Sequence, residues 1–275
     1  MTAQATGTGS VPMAFLSSTV KRGRRVLERW RERRSRRTAL PHAGMNPHPF
    51  SSIRMFGHAQ ESEMSAKLYQ AFVRTIAAVD TLPGEVSSIE GMSGRSYRLL
   101  ANYLVSGAES VKYLEIGSWA GSTVAAALYG NTAKALCIDN WSQFDGPKDQ
   151  FRENIKKLQL EDRIELLEED FRNVDYGSIG RFDVYLYDGP HKEVDQYDGI
   201  VLTQPALEKN YLLIVDDWNW IGVRIGTLRG LSAAKSTISF AIEVRTTEDN
   251  EHPVEGGRDT DWHNGCFLAV VAKNE

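Results

Sequence analysis

Three aspartates follow two predicted strands, each at the point where the strand ends. Asp188 comes directly after residues 182–187, and Asp216 and Asp217 come directly after residues 211–215. Neighbouring strands of a sheet lie about 5 Å apart, so carboxylates at two such strand ends can converge on one cation. Oxygen ligands suit a hard divalent ion, with Mg²⁺ preferred to Ca²⁺ or Mn²⁺. The sequence therefore predicts a divalent-metal site formed by these aspartates, although the adjacent pair could instead cap the following helix.

The stretch VKYLEIGSWAGST, residues 111–123, has the pattern of a buried strand that turns sharply into a helix. Apolar residues lead to Glu115, and Gly117 and Gly121 then leave the backbone bare, where a Cβ would block tight turning and the approach of a ligand. The start of the following helix offers unpaired N–H groups and the positive end of the helix dipole. Sheets with alternating strands and helices bind nucleotide-like ligands at such a turn.

Residues at the next two strand ends could complete a site for an adenosine group. Asp139, about twenty residues beyond the glycine turn, is placed to hydrogen-bond ribose hydroxyls, with Asn140 beside it. Asp170 could accept a hydrogen bond from the exocyclic amine of adenine, while Phe171 and Trp141 could lie against the ring. The structural alternatives are a helix cap for Asp139 and ordinary core packing for the two aromatic side chains.

The glycine spacing disfavours a dinucleotide. The dinucleotide fingerprint has the form G-x-G-x-x-G, which lets the backbone approach a pyrophosphate. If Gly117 is the first of these glycines, Trp119 and Ser122 occupy the other two positions. A bulky tryptophan is a poor substitute where backbone must touch phosphate. A ligand with an adenosine group and no phosphates fits better, and S-adenosylmethionine is such a ligand.

The motif E-I-G-S-W-A-G-S-T resembles the first motif of class I methyltransferases, especially that of the catechol O-methyltransferase group. The whole stretch from about residue 93 to residue 275 resembles that fold. The resemblance implies that the acid and the glycine turn hold the methionine part and the ribose of S-adenosylmethionine, and a looser match places two further residues near the sulfonium. The acid and the residues of the turn are Glu115, Gly117, Ser118 and Gly121, and the two residues of the looser match are Met92 and Ser93. Asp188 is also assigned to the cofactor.

The sequence D-G-P-H, with D-D after the next strand, is more similar to the metal-dependent macrocin- and mycinamicin-type sugar O-methyltransferases. This resemblance implies that His191, three residues after Asp188, is the general base. Catechol-type enzymes use lysine at that offset, and Lys192 is one position away, so the choice between the two residues stays open. The structural alternative for His191 is a surface residue after a proline turn, with no catalytic role.

These features predict an enzyme that transfers a methyl group from S-adenosylmethionine to a hydroxyl of a small molecule or sugar, with metal and base acting on the hydroxyl. The alternatives are a cephalosporin-hydroxylase-like protein and a non-catalytic binding module. A nucleic-acid methyltransferase is disfavoured by charge. Residues 1–37 contain ten Lys/Arg and two Asp/Glu, so the remainder carries a net charge of −12 within a total of −4.

The hydrophobic pattern predicts a doubly wound α/β domain with a mostly parallel sheet of seven strands, the last two pairing antiparallel across a polar loop. Predicted strands cover residues 111–114, 135–138, 164–167, 182–187, 211–215, 238–244 and 266–272. Predicted helices cover residues 61–82, 93–106, 148–158, 196–207 and 221–232. The first two helices should cover the sheet or the ligand, and His252 and His263 should lie exposed in the last loop.

The domain is predicted to cover residues 61–275, after a basic, flexible segment of residues 1–60 whose prolines indicate a linker near its end. Residues 20–37 could be a solvated tail, a contact with an anionic membrane surface or a partner, or a transit peptide. Cys137 and Cys266 lie in apolar runs and are predicted to be free thiols, which fits a cytoplasmic protein. Homo-oligomers are compatible with the sequence.

Overall fold

The computed structural model of the protein describes residues 52–77, 80–107 and 111–274. The predictions for residues 1–51, including the basic stretch of residues 20–37, lie outside this part of the chain. The described residues form a main unit, with residues 142–146 as a short separate segment. The sheet, the helices and the candidate site all belong to the main unit.

The sheet has eight strands among the described residues, in the order β1-β7-β8-β6-β5-β2-β3-β4. The strands are β1 Ser52–Gly57, β2 Lys112–Ile116, β3 Lys134–Ile138, β4 Ile164–Leu167, β5 Phe182–Tyr187, β6 Leu207–Asp216, β7 Ser236–Arg245 and β8 Cys266–Lys273. Strands β2 to β6 are parallel, whereas β8 pairs antiparallel with both β6 and β7. The predicted fold class and the antiparallel final pair are confirmed.

Strand β1 corrects the predicted number of strands from seven to eight. It pairs antiparallel with β7, from Ser52 opposite Arg245 to Gly57 opposite Phe240, within the segment that the sequence assigned to a linker. An edge strand has one neighbour, and most of β1 is exposed, so it lacks the apolar alternation that marks a half-buried strand. The sheet therefore includes residues that precede the predicted domain boundary at residue 61.

The helices follow the predicted pattern with two shifts. They are α1 Glu63–Ile76, α2 Gly84–Ser87, α3 Arg95–Val105, α4 Ser122–Leu128, α5 Lys148–Lys157, α6 Glu193–Leu202 and α7 Ile221–Ala233. The helix predicted for residues 61–82 ends at Ile76, and the helix predicted for residues 196–207 is α6 followed by a 3₁₀ turn at Gln204–Ala206 that contains Pro205. None of the described helices is long and apolar enough to cross a membrane.

Each face of the sheet is covered by its own apolar core. Tyr113 and Ile214 belong to the core under helices α1, α3, α4 and α5, whereas Leu114 and Val215 belong to the core under α6 and α7. Strands buried on both faces are the usual form of a parallel sheet between two helical layers. Because successive side chains alternate between faces, neighbouring residues at one strand end enter different surroundings.

Candidate functional site

The turn between β2 and α4 is built on backbone contacts with the two neighbouring strands. The Gly117 N–H donates to the Ile138 carbonyl at 3.0 Å, and the Asp188 N–H donates to the Ile116 carbonyl at 2.8 Å. Gly117 has a φ of 89°, and a Cβ there would lie 2.0 Å from the Asp188 carbonyl oxygen. The glycine is therefore required both by its backbone conformation and by the approach of the β5 strand end.

Replacing Gly117 by alanine is expected to destabilise the protein by about 2–5 kcal/mol. A left-handed alanine costs about 1–2 kcal/mol, and forcing a Cβ against the neighbouring backbone adds about 1–3 kcal/mol. Gly107 is the matched control, since it has a φ of 86° and a Cβ added there would meet nothing within 4 Å. The free energy of unfolding measured in urea should fall in Gly107→Ala only by the cost of a left-handed alanine, about 1–2 kcal/mol. Equal losses for the two variants would contradict the role of the Asp188 contact.

Asp139, at the end of β3, is held by the glycine turn and by its own loop. Its Oδ2 accepts the Trp119 N–H at 2.8 Å, and its Oδ1 accepts the Trp141 N–H at 2.7 Å. The Trp141 indole N–H donates to the Trp119 carbonyl at 2.9 Å, which ties the two loops together. Asp139 is half-buried and Asn140 is exposed. The carboxylate keeps lone pairs that could accept hydrogen bonds from a pair of ligand hydroxyls.

Two buried polar atoms at this turn have no hydrogen-bond partner. Glu115 is fully buried; its Oε2 accepts the Tyr113 hydroxyl at 2.6 Å, while its Oε1 has no partner. The Ser118 Oγ is also buried without a well-formed hydrogen bond, although the hydroxyl is close enough to Glu115 to lower the pKa of that carboxyl. Burial raises the pKa of Glu115 to about 8. Such orphaned atoms are rare in folded proteins, and these two fit a ligand that supplies its own hydrogen-bonding groups.

The remaining residues predicted to contact the cofactor lie in two places, before helix α3 and after strand β4. Ser93 is buried with its Oγ 3.2 Å from the Ser122 Oγ at the start of α4, and Met92 is half-buried beside it. Asp170 caps a short 3₁₀ turn by accepting the Arg172 N–H. Phe171 is buried in the core, with its ring centroid 4.5 Å from the Arg172 guanidinium carbon.

Phe171 thus has the core-packing role that the sequence left open. Its ring also packs edge-on against Tyr187, which is buried in the core. Trp141 differs, because it is only half-buried while its ring lies edge-on to Phe151. Of the two aromatic side chains predicted to lie against an adenine, Trp141 is therefore the more accessible.

A compact group of acid and imidazole atoms lies where β5 and β6 end. The His191 Nε2 is 2.9 Å from the Asp217 Oδ2 and 3.4 Å from the Asp188 Oδ1. One ligand atom from each of these three residues lies within 4.8 Å of the others. Two carboxylates and an imidazole at this spacing could hold a divalent cation. Because Asp188 also contacts Gly117, this acidic cluster, defined as Asp188, His191 and Asp217, lies beside the glycine turn.

Asp216 is close to the acidic cluster but its ligand atoms are not part of it. It is 2% exposed, and one of its carboxyl oxygens has no partner. Burial raises its pKa well above the usual range, and the charges of Asp188 and Asp217 add to the shift. A hydrogen bond from Asp216 lowers the pKa of Asp188, so the neutral acid supports its neighbour. The structure thus brings together two of the three predicted metal ligands, with His191 in the third position.

The two carboxylates of the acidic cluster have opposite electrostatic surroundings. Burial raises the pKa of Asp188 to about 6. Burial also raises the pKa of Asp217, but the charge and hydrogen bond of His191, together with His263 and the Asn264 amide, lower it further, so its net shift is downward. For His191, burial lowers the pKa, and the two carboxylates raise it further than burial lowers it. The cluster in this form carries its own counter-charge as an imidazolium.

The loop between β7 and β8 holds Asp217 from the other side. The Asn264 side-chain amide donates to the Asp217 Oδ1 at 2.8 Å, and the His263 Nε2 lies 4.0 Å from the same oxygen. The Gly257 N–H donates to the His263 Nδ1 at 2.6 Å, which places the remaining ring proton on Nε2. Burial lowers the pKa of His263 to about 3, so this histidine is neutral.

His263 therefore corrects the prediction of an exposed loop residue, since it is buried against the cluster. Asn219 completes the support, because its amide donates to the Asn264 Oδ1 at 2.9 Å and to the Thr246 Oγ1 at 2.8 Å. Neither asparagine was identified from the sequence. The sequence signal for both asparagines was weak. Asn219 follows Trp218 near the end of a strand, and Asn264 stands between His263 and Gly265, and asparagine is common at such positions in ordinary turns.

The doubly wound sheet, with its mostly parallel strands and antiparallel final pair, is consistent with a Rossmann-like methyltransferase fold. Residues 114–218, from β2 to the residue after Asp217, match a family model described as a methyltransferase domain. This part of the chain is therefore similar to a methyltransferase domain. No match to a curated protein was found.

Solved structures of similar fold share little sequence with this chain. TrmN from Thermus thermophilus is 16% identical, with 64% of this chain and 49% of that chain covered and a TM-score of 0.45. An O-methyltransferase from Bacillus cereus in complex with SAH is 17% identical over 75% of this chain and 90% of that chain, with a TM-score of 0.44.

A third similar structure is the O-methyltransferase TomG from Streptomyces achromogenes, involved in tomaymycin synthesis and solved in complex with SAM. It is 15% identical over 77% of this chain and 91% of that chain, with a TM-score of 0.44. The chain spans about half the length of TrmN and about nine-tenths of the other two. At these scores the similarities carry no argument about substrate or mechanism.

Proposed function

We propose that the protein is a divalent-metal-dependent O-methyltransferase that acts on a hydroxyl of a small molecule or sugar, with Mg²⁺ as the first candidate for the metal. The observation that carries this proposal is the acidic cluster at the ends of β5 and β6, next to the glycine turn. A turn for the methyl donor and a site for a hard cation lie side by side. A methyl transfer to an oxygen that must first lose a proton uses both.

The order of the strands supports a direction for the cofactor along the sheet edge. Asp170 follows β4, Asp139 follows β3 and the glycine turn follows β2, which are consecutive neighbours in the sheet. Adenine near Asp170 and Trp141, with ribose at Asp139, directs the sulfonium end past β2 toward Asp188 on β5. The orphaned Glu115 and Ser118 atoms would then face the amino-acid part. Phe171 contributes to this arrangement through the core beneath it.

The acidic cluster fits a divalent cation through the carboxylates of Asp188 and Asp217, with Asp216 supporting the first of them. A divalent cation there would lower the pKa of a hydroxyl that it binds and would neutralise the carboxylates that keep His191 protonated. The neutral His191 would accept the acceptor's proton at Nε2. The acceptor oxygen forms its new bond to the methyl carbon as the sulfur–methyl bond breaks, which leaves S-adenosylhomocysteine.

The geometry also favours a second role for His191. Its Nε2 is one of the three atoms within 4.8 Å of one another, a position equally suited to a metal ligand. Lys192 is a weaker candidate for the base, because its side chain is exposed at the start of α6 while His191 contacts both carboxylates. The base and ligand roles of His191 predict different effects on metal affinity when the imidazole is removed.

Chelation is the direct test of the metal. We expect EDTA to reduce turnover of a catechol or of a sugar with vicinal hydroxyls by at least about 100-fold, with Mg²⁺ restoring it, because the ion activates the hydroxyl. Affinity for S-adenosylhomocysteine, measured by calorimetry, should change little. Titration with Mn²⁺, followed by electron paramagnetic resonance, measures the ion site without any acceptor, and Asp188→Asn is the control that should lose it. Turnover unaffected by chelation would contradict the metal role.

The remaining expectations about partners are part of the same proposal. The acidic body favours a small-molecule acceptor over a nucleic acid, and the two cysteines described are buried and unpaired, in keeping with a cytoplasmic protein. Contacts of residues 20–37 with a membrane surface or a partner, and homo-oligomers, stay predictions from the sequence.

A further inference from the structure

Arg98, on helix α3, is a buried charge whose contacts are all with neutral groups. Its side chain is among the largest fully buried ones, with 1% of the residue exposed. The Nε–H donates to the Ser93 Oγ at 2.8 Å and the Nη1 donates to the Ile89 carbonyl at 2.9 Å, but the Nη2 has no partner. Within the described part of the chain, no carboxylate forms an ion pair with it.

The unpaired Nη2 lies beside the first turn of α4, directly after the glycine turn. Ser93, which Arg98 contacts, is 3.2 Å from the Ser122 Oγ and accepts the Thr123 hydroxyl at 3.3 Å. A Cβ on Gly91 would lie 2.1 Å from the Ser122 Oγ and 2.7 Å from the Arg98 Nη2, so both atoms border the same small space. The guanidinium and two hydroxyls thus converge at the start of α4.

A guanidinium enclosed without a carboxylate in contact with it is costly, and arginine does not escape the cost by losing its proton. The charge of Asp259 acts on Arg98 without forming an ion pair, and the charge of Arg258 opposes it. Burial lowers the pKa of Arg98 only to about 10, so the group is charged at neutral pH. Three acids lie at or beside the glycine turn, namely Glu115, Asp139 and Asp188. S-adenosylmethionine carries two positive groups, the sulfonium and the ammonium, and one negative group, its carboxylate. The acids have the charge needed to pair with the sulfonium and the ammonium, and Arg98 has the charge needed to pair with the carboxylate.

We propose that Arg98 binds the carboxylate of the amino-acid part of S-adenosylmethionine, with the hydroxyls of Ser122 and Thr123 as neighbouring donors. This inference rests on the methyltransferase assignment and on the cofactor direction proposed above, and it does not involve the metal. Because Nη2 is enclosed and Gly91 lies against it, the segment around Gly91 yields as the carboxylate enters. A charge-assisted pair with arginine then replaces an unsatisfied donor.

A purely structural role is the competing explanation, since Arg98 holds the Ile89 carbonyl and Ser93 in place ahead of α3. Such a role would affect every ligand at the turn equally. A carboxylate-binding role affects only ligands that carry the carboxylate. The two explanations are therefore separated by comparing S-adenosylhomocysteine with its decarboxylated analogue, which differs by that one group.

The experiment measures the affinity of both ligands by calorimetry in the presence of EDTA, for the full chain and for three variants. We expect the native protein to bind S-adenosylhomocysteine roughly 10- to 100-fold more tightly than the decarboxylated analogue. Arg98→Met should lose that preference while keeping its affinity for the analogue, and Arg98→Lys should recover part of it. Arg95→Met is the control, because Arg95 lies on the same helix but is half exposed and paired with Asp261 at 3.5 Å.

Three results would overturn the proposal. Equal affinity of the native protein for the two ligands would show that no residue binds the carboxylate, and this comparison needs no variant to fold. An equal loss for both ligands in Arg98→Met, with Arg98→Lys behaving alike, would assign Arg98 a structural role. No binding of S-adenosylhomocysteine by the native protein would overturn the cofactor assignment itself. The metal proposal is tested separately, since EDTA is present throughout.

Discussion

Replacing Asp217 by asparagine is expected to lower metal affinity and turnover by at least about 100-fold. The loss of a residue that only supports a metal ligand costs about 10- to 100-fold, so the loss of a ligand should reach or exceed the upper value. Asparagine suits this position, because Asp217 has a φ of 57° and asparagine tolerates the left-handed region. The substitution removes the charge while the backbone conformation is kept.

The matched variant is Asp216→Asn, since the two acids are adjacent but differ in their surroundings. Asp217 lies 2.9 Å from His191, whereas Asp216 is buried, neutral and placed behind Asp188. We expect Asp216→Asn to retain most of the Mn²⁺ affinity measured by electron paramagnetic resonance. Equal losses in both variants would restore the three-aspartate site expected from the sequence. Native metal affinity in Asp217→Asn would exclude Asp217 as a ligand.

Removal of the His191 imidazole, by replacement with alanine, is expected to reduce kcat by about 10²- to 10⁴-fold, the contribution of a positioned general base. Affinity for S-adenosylhomocysteine should stay within about twofold, because His191 contacts the two carboxylates and the edge of Trp220 and has no contact with the glycine turn. Steady-state kinetics with saturating Mg²⁺ and calorimetry give these two quantities separately.

The metal affinity of His191→Ala separates the two roles of the imidazole. If His191 is only the base, Mn²⁺ should bind this variant about as tightly as the native protein, or more tightly, because a competing positive charge is gone. If His191 is a ligand, the affinity should fall with kcat. Lys192→Ala is the control and should behave like the native protein, because that side chain is exposed. Unchanged kcat in His191→Ala, with a loss in Lys192→Ala, would reverse the assignment.

The central strands were predictable because burial on both faces produces continuous apolar runs between turn residues. The observed bounds of β4 and β5, Ile164–Leu167 and Phe182–Tyr187, agree with the predicted ones to the residue. The same argument fails for β1, whose side chains are mostly exposed and whose existence depends on pairing with a strand far along the chain. Local pattern carries no information about such a partner.

The site shows the same division between local and distant information. The positions of Gly117, Asp139 and Asp188 were predictable because these residues stand at strand ends, and the topology brings strand ends together. His263 and Asn264 were not, since a polar loop has no periodicity and their contact with Asp217 depends on how β8 pairs with β6. The sequence also could not rank Asp216 against Asp217, because both are buried and the contacts of Asp217 with His191 and Asn264 decide which of them is charged.

Arg98 escaped the sequence pattern for a different reason. An amphipathic helix normally places its charged residues on the solvent side, so the sequence pattern gave no reason to single out Arg98. The structure buries Tyr97, Leu99, Leu100 and Ala101 together with Arg98, all of them at 8% exposure or less. The sequence pattern alone does not distinguish a buried arginine such as Arg98 from an exposed one such as Arg95 on the same helix.

The contact between Gly117 and Asp188 has a consequence for how new substrates could be acquired. The glycine turn and the acidic cluster are in backbone contact, and the distance between Gly117 and Asp188 leaves no room for a side chain at residue 117. No substitution at either residue can therefore tune the separation between the two halves of the reaction. Variation in acceptor must come from the surrounding loops, including the one between β7 and β8. An engineer who wishes to change the acceptor can randomise exposed positions of that loop, keep Asn264 and His263, and leave the reaction geometry intact.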